Sequence, residues 1–181
     1  MPALTVNGLT FVHIPKTAGK SVTRWIHDNF RDKLYCPDLA YTHPKLSMID
    51  NVGTDTFAIV RNPWDRIVSL WAFWTGCVIH PDVPFDTFVR NLDKYTFADW
   101  AWFTFAEPQK GWIPEGVTHL LKFETLEEDF RVIQERLGCF EPLPCVNASV
   151  RSNFRQYYTD ETRDIIAQVF KDDIEAFGYT F

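Results

Sequence analysis

The sequence predicts an α/β fold, a central parallel sheet with helices packed on both faces. Three observations carry that expectation. Leu9–Ile14, Thr56–Val60 and Val117–Phe123 are short apolar runs rich in β-branched and aromatic residues, as buried parallel strands are. Each is followed by a stretch whose apolar residues recur at helical spacing. Strand and helix therefore alternate along the chain, which is the pattern of a parallel sheet covered on both sides. The composition agrees: 181 residues with 46% hydrophobic and 23% charged side chains are enough to bury a core without disulfide or metal staples. With no repeat, linker or low-complexity tract, a single domain over residues 1–181 is expected.

The first strand, Leu9–Ile14, is stopped by Pro15. After the turn Pro15–Gly19, the stretch Lys20–Phe30 places Val22, Trp25, Ile26 and Phe30 near helical spacing. Residues 33–50 carry a weaker pattern: a short strand at Leu34–Cys36, a turn at Pro37 and a short helix after Pro44. Thr56–Val60 is the second buried strand. Asn62 then reads as a helix N-cap, Pro63 as the first helical residue and Asp65 as a first-turn acid. Residues 71–112 form an aromatic-rich insertion expected to be helical. Val117–Phe123 leads into a helix over Leu126–Leu137, ended by Gly138. The tail Thr159–Phe177 is a last helix, with Thr159 and Thr162 as alternative caps.

Charge and cysteine usage narrow the function classes. Lys plus Arg number 18 against 24 for Asp plus Glu, a net charge of -6, which argues against a general nucleic-acid binder and confines any anion site to a local patch. Cys36, Cys77, Cys139 and Cys145 form no CxxC pair, so reduced thiols are expected. The opening residues lack a basic segment followed by a long apolar run, and no stretch of about 18 apolar residues occurs. A cytoplasmic protein that does not span the membrane is the expectation, with no metal site, because the histidines are dispersed and the cysteines lack ligand spacing.

Two junctions are suited to phosphate. From His13 to Arg24 the chain holds Lys16, Lys20 and Arg24 and no acid. A loop between a buried strand and a helix start presents free backbone N–H groups to an anion, and the helix dipole and the Thr17 and Ser21 hydroxyls add to the attraction. The second junction puts Arg61 at the carboxyl end of a strand, where ligands of parallel sheets gather, with Ser69 in the following helix. Arg61 either offers a planar fork to a phosphate or pairs with Asp65 to brace the turn. The ending Gly19-Lys20-Ser21 matches part of a nucleotide P-loop, whose first glycine would fall at Ile14. A P-loop ATP-dependent kinase is therefore a rival reading, opposed by the basic Arg61 where an acidic Mg²⁺ organiser would sit.

These two segments, FVHIPKTAGKS and IVRNPWDRIVSLW, resemble the signatures of sulfotransferases that use 3′-phosphoadenosine 5′-phosphosulfate (PAPS), especially the carbohydrate sulfotransferases of the sulfotransferase-2 type. A looser similarity runs through Val146–Ser149, Arg155–Tyr158 and Asp173–Tyr179. Two departures stand out: Lys20 replaces a more usual Thr, and the chain is short, without the membrane anchor of Golgi members. The resemblance implies a three-layer P-loop-like fold and sulfuryl transfer from PAPS to a hydroxyl acceptor, a small molecule or glycan and most naturally a carbohydrate. It implies a 5′-phosphosulfate loop of Pro15, Lys16, Thr17, Ala18, Gly19, Lys20, Ser21 and Val22, with Lys16 neutralising the leaving oxygen. Arg61 and Ser69 would take the 3′-phosphate, and Arg151 and Ser152 would close over the nucleotide.

For the proton acceptor, His43 in Tyr41-Thr42-His43-Pro44 lies where related enzymes carry a catalytic histidine, and a neutral imidazole suits the task. A role bracing the turn is the alternative, and Asp99 is the reserve base. His13 and His119 read as packed, hydrogen-bonded core residues, His27 and His80 as surface residues. The aromatics from Trp71 to Trp112 either stack on an acceptor or build core. Gln109 and Lys110 could recognise an acceptor or be ordinary surface residues. A non-catalytic nucleotide-binding protein of the same fold is the remaining alternative.

Overall fold

The computed structural model describes residues 4–35, 43–49, 52–76, 83–92, 107–113, 115–146 and 152–181. Among these residues five strands form one sheet in the order β3-β1-β2-β4-β5. The strands are β1 (Leu4–Val6), β2 (Leu9–Val12), β3 (Leu34–Tyr35), β4 (Asp55–Val60) and β5 (His119–Lys122). β2, β4 and β5 run parallel, with Phe11 opposite Phe57 and Ala58 opposite Leu120.

The sheet is mixed, however, because β1 lies antiparallel to both β2 and β3. A wholly parallel sheet was the expectation, and β1 is the strand it lacked. β1 and β2 form a hairpin closed by Asn7 and Gly8, both with positive φ (48° and 77°), the backbone of a tight primed turn. Three residues are too few for a visible alternation, but the Asn-Gly pair between Val6 and Leu9 is a hairpin signal in its own right.

The chain divides into two compact units, one of Met1–Val60 with Gly111–Ala148, the other of Arg61–Lys110 with Ser149–Phe181. In the first, α1 (Gly19–Phe30) buries Val22, Trp25, Ile26 and Phe30, the face its sequence spacing predicts. Trp25 packs edge-on to Phe130, and its indole N–H donates to the Glu141 carbonyl at 2.7 Å. Phe11 and Phe57 stack at 4.8 Å in the same core. After β5, α4 (Leu126–Asp129) and α5 (Arg131–Leu137) replace the single predicted helix, and Gly138 ends α5 in the left-handed region as expected. Arg136 of α5 ties back to Asp55 of β4 at 2.7 Å.

The second unit is helical: α2 (Pro63–Gly76), α3 (Phe85–Arg90), α6 (Asp160–Val169) and α7 (Lys171–Phe177). Asn62 caps α2, its Oδ1 accepting from the Trp64 N–H at 3.1 Å. Thr159 caps α6, and Thr162 is its capping-box partner rather than a rival cap. The tail helix is broken at Phe170, whose backbone leaves helical values while its ring is fully buried against α2 and α3 residues. Trp64 and Trp71 donate to the carbonyls of Arg163 and Val83, so these described aromatics build core, while Phe73 is exposed. Tyr95, Phe97, Trp100, Trp102, Phe103 and Phe105 lie outside the described residues. Among the described residues no helix is long and apolar enough to cross a membrane.

The stacked Phe11–Phe57 pair gives a direct test of the core. Phe57→Ala is expected to lose about 3–5 kcal/mol in urea unfolding, whereas Phe140→Ala, 72% exposed, should stay within about 0.5 kcal/mol of the parent.

Candidate functional site

The first phosphate-suited junction forms in one unbroken turn. β2 ends at Val12, and the chain passes through His13–Ala18 into α1. Lys16 and Ala18 both adopt positive φ, 68° and 69°, an arrangement that ordinary side chains rarely take and that marks a constrained loop. Thr17 is fully buried, and its hydroxyl donates to the Ile14 carbonyl at 2.9 Å. It braces the loop from inside instead of offering its proton to a ligand, as its expected cradle role requires. The Ala18 carbonyl accepts the Ser21 and Val22 N–H groups, which leaves those of Gly19 and Lys20 without an intrahelical acceptor. No side chain caps α1 and no acid stands in its first turn. The Ser21 hydroxyl oxygen accepts from the Val146 N–H at 3.1 Å and keeps its own proton for donation. Pro15 and Val22 are buried, Lys16 is half-buried and Lys20 exposed.

His13 shapes this loop. Its ring covers Gly19 so closely that a Cβ there would fall 1.7 Å from Nε2, so only glycine fits. The imidazole is 4% exposed and stacks on Phe11. It is packed as expected, but among the described residues its buried Nδ1 has no hydrogen-bond partner, contrary to the expectation of a satisfied core histidine. Burial, then His43, then Lys20 and Lys16 hold its pKa well below 6.5. The structure brings His43 to it: the rings meet edge-on at 4.3 Å, and His43 Nδ1 lies 3.2 Å from the His13 carbonyl. The buried Trp112 indole N–H donates to the His43 carbonyl at 3.4 Å. These contacts all lie within the first unit.

In the second unit, Arg61 follows β4 directly and is 5% exposed. Its Nε and Nη2 donate to Asp65 Oδ2 at 2.9 and 2.7 Å, the turn-bracing pair. Ser69 is half-buried in the second turn of α2. Gln109 is fully buried, which corrects the expectation of a surface residue near the acceptor. Its side-chain amide bonds both the N–H and the carbonyl of Arg61, each at 2.8 Å. The buried Asp173 accepts from the backbone N–H of Gln109 and of Lys110 at 2.7 and 2.9 Å. Arg66, 1% exposed, donates to the Glu107 carbonyl at 2.9 Å. Burial, assisted by Arg61, pulls its pKa down to about 10, against the opposing pull of Asp173 and Glu107. Sequence reading missed this polar network because its members are scattered over more than 100 positions. An arginine between Trp64-Asp65 and Ile67-Val68 was its one visible sign.

A family model described as "Sulfotransferase family" matches residues 5–180. The chain belongs to the sulfotransferase family. That assignment supports an enzyme that transfers a sulfuryl group. A search of curated proteins finds no match. Of the remaining residues expected at a sulfotransferase site, Ser152 is exposed in the second unit, whereas Arg151 and Asp99 lie outside the described residues, as do His80, Tyr41, Thr42, Cys36 and Cys77. His27 is exposed at the end of α1 and His119 half-buried on β5. Among the described residues Cys139 and Cys145 are free thiols, and no three His, Cys, Asp or Glu side chains gather as metal ligands.

Two outcomes follow from the buried charges. Below about pH 6.5 the unfolded chain binds a proton at His13 that the folded protein does not, so stability falls with falling pH by up to about 1.4 kcal/mol per unit. Thermal melts between about pH 7.5 and pH 5 should show a shallower loss for His13→Phe than for the parent. Asp173→Asn replaces a buried acceptor of the Gln109 and Lys110 N–H groups and is expected to cost about 1–3 kcal/mol in urea unfolding.

Proposed function

We propose that the chain moves the sulfuryl group of PAPS to a hydroxyl, most naturally of a carbohydrate, on a P-loop-like three-layer scaffold. The observation that carries this reading is the β2–α1 loop. Gly19 and Lys20 N–H groups that no side chain caps, Lys16, Lys20 and the Ser21 hydroxyl lie within six consecutive residues of an otherwise acidic chain, and His43 packs on His13 of the same segment. Such a loop suits a phosphosulfate, whose charge is spread over several oxygens.

In this reading Gly19, Lys20 and Ser21 donate to the 5′-phosphosulfate, and the left-handed turns at Lys16 and Ala18 aim the backbone. The Lys16 ammonium neutralises the bridging oxygen as the sulfur–oxygen bond to the 5′-phosphate breaks. His43 Nε2 takes the acceptor hydroxyl proton while that oxygen bonds to sulfur, so PAP leaves and the proton rests on His43. Arg61 and Ser69 are proposed as ligands of the 3′-phosphate, with Arg151 and Ser152 as later contacts.

Calorimetric titration with PAP, compared with ATP plus Mg²⁺, tests the donor. Metal-independent preference for PAP is expected, and preference for Mg²⁺-ATP would move the kinase reading ahead. Arg61→Ala should weaken PAP by about 1.5 kcal/mol or more. Lys16→Ala should lower kcat by about 100-fold or more with a much smaller change in PAP affinity, and an equal loss in both would refute its leaving-group role.

A further inference from the structure

The imidazole of His13 is costly where it stands. A buried polar nitrogen without a partner destabilises a fold, and a phenyl ring would fill the same space over Gly19 without that cost. The ring nonetheless touches the one other histidine of the loop region. We propose that His13 is a positioning residue for His43: its carbonyl accepts the His43 Nδ1–H and its ring, seated on Gly19, holds the His43 ring edge-on, so that Nε2 is the basic nitrogen. The proposal rests on the reading of His43 as the proton acceptor and extends it to a residue that the phosphate-loop signature otherwise assigns to the core.

The chemistry follows from the contact. A carbonyl oxygen accepts only, so an imidazole nitrogen bonded to it must carry the hydrogen. A neutral imidazole has one N–H, and placing it on Nδ1 leaves the lone pair on Nε2. The His43 backbone is held independently, by the Trp112 indole donating to its carbonyl. Trp112 is itself fully buried, with the Lys45 ammonium over its ring at 5.7 Å. Two anchors, one on the ring and one on the main chain, define where Nε2 points. His13 completes the ring anchor because its imidazole fills the gap between Gly19 and His43, from which a smaller side chain would let the His43 ring turn. Histidines that bind metals are oriented by partners of the same kind, and loss of such a partner typically costs activity about 10- to 100-fold.

The deciding experiment is nitrogen-15 NMR of the histidine side chains in the full chain, paired with steady-state kinetics of His13→Ala and, as the ring-retaining control, His13→Phe. In the parent protein at mildly basic pH, His43 should show a protonated Nδ1 and an unprotonated Nε2. His13→Phe keeps a ring over Gly19 and should fold and bind PAP within about twofold of the parent. It keeps the main-chain carbonyl as well, so its His43 should keep the parent tautomer, whereas His13→Ala opens the gap and should show mixed tautomers and a kcat lower by about tenfold or more at little changed acceptor KM. A His43 protonated on Nε2 in the parent overturns the proposal. So does a His13→Ala protein that keeps both the tautomer and kcat. Should His13→Ala not fold, His13→Gln is read by the same spectrum. A parent protein that binds no PAP would sink the sulfotransfer reading, yet the tautomer comparison would still decide whether His13 orients His43.

Discussion

The seating of the His13 ring on the α-carbon of Gly19 is the contact on which the rest of the first unit depends. It joins the end of β2 to the first residue of α1, and it leaves no room for any side chain at position 19. With that spacing set, the loop between them must turn within a few residues, and it does so by placing Lys16 and Ala18 in the left-handed region. Thr17 locks the turn from within, through its hydroxyl on Ile14. The uncapped start of α1 follows from this geometry. A capping side chain at position 18 is absent, so no side chain caps the first N–H groups of α1.

Charge burial in the second unit follows a different logic. Arg61, Arg66, Gln109 and Asp173 are each at most 5% exposed, a costly set unless mutually satisfied. Gln109 clamps the main chain of Arg61 through both ends of its amide, while Asp65 holds the guanidinium. Asp173 and Glu107 both oppose the loss of the Arg66 proton that burial favours. The network fixes the strand-to-helix turn after β4 more firmly than the Asn62 cap alone could.

Elements with strong local signals were legible in the sequence. The buried runs of β2 and β4, the Val22–Trp25–Ile26–Phe30 face of α1, the Asn62 cap and the Gly138 stop are each set by neighbours within a turn or two. Elements decided by distant contacts were not. β1 has three residues, too few for a visible alternation, and its pairing with β3 is distant, although the Asn7-Gly8 turn that pairs it with β2 is local. The breaks at Phe130 and Phe170 interrupt spacings that read as continuous helices, because both rings turn into cores assembled from remote segments. The candidate site divides the same way: Lys16, Gly19 and Ser21 stand out by type and spacing, whereas the roles of Thr17 and Gln109 reversed once their partners were known.

The sequence by itself therefore determined the α/β class of fold, the family and the strand-to-helix junction that follows β2, because strand hydrophobicity, helix spacing and an acid-free lysine cluster are local properties. Tertiary structure alone decided that His43 meets His13, that Gly19 admits no side chain and that Asp173 answers Arg66. Those pairs are separated by 30, 6 and 107 positions. Hydrogen bonds and close packing act over a few ångströms of space, and only the folded backbone says which residues share it.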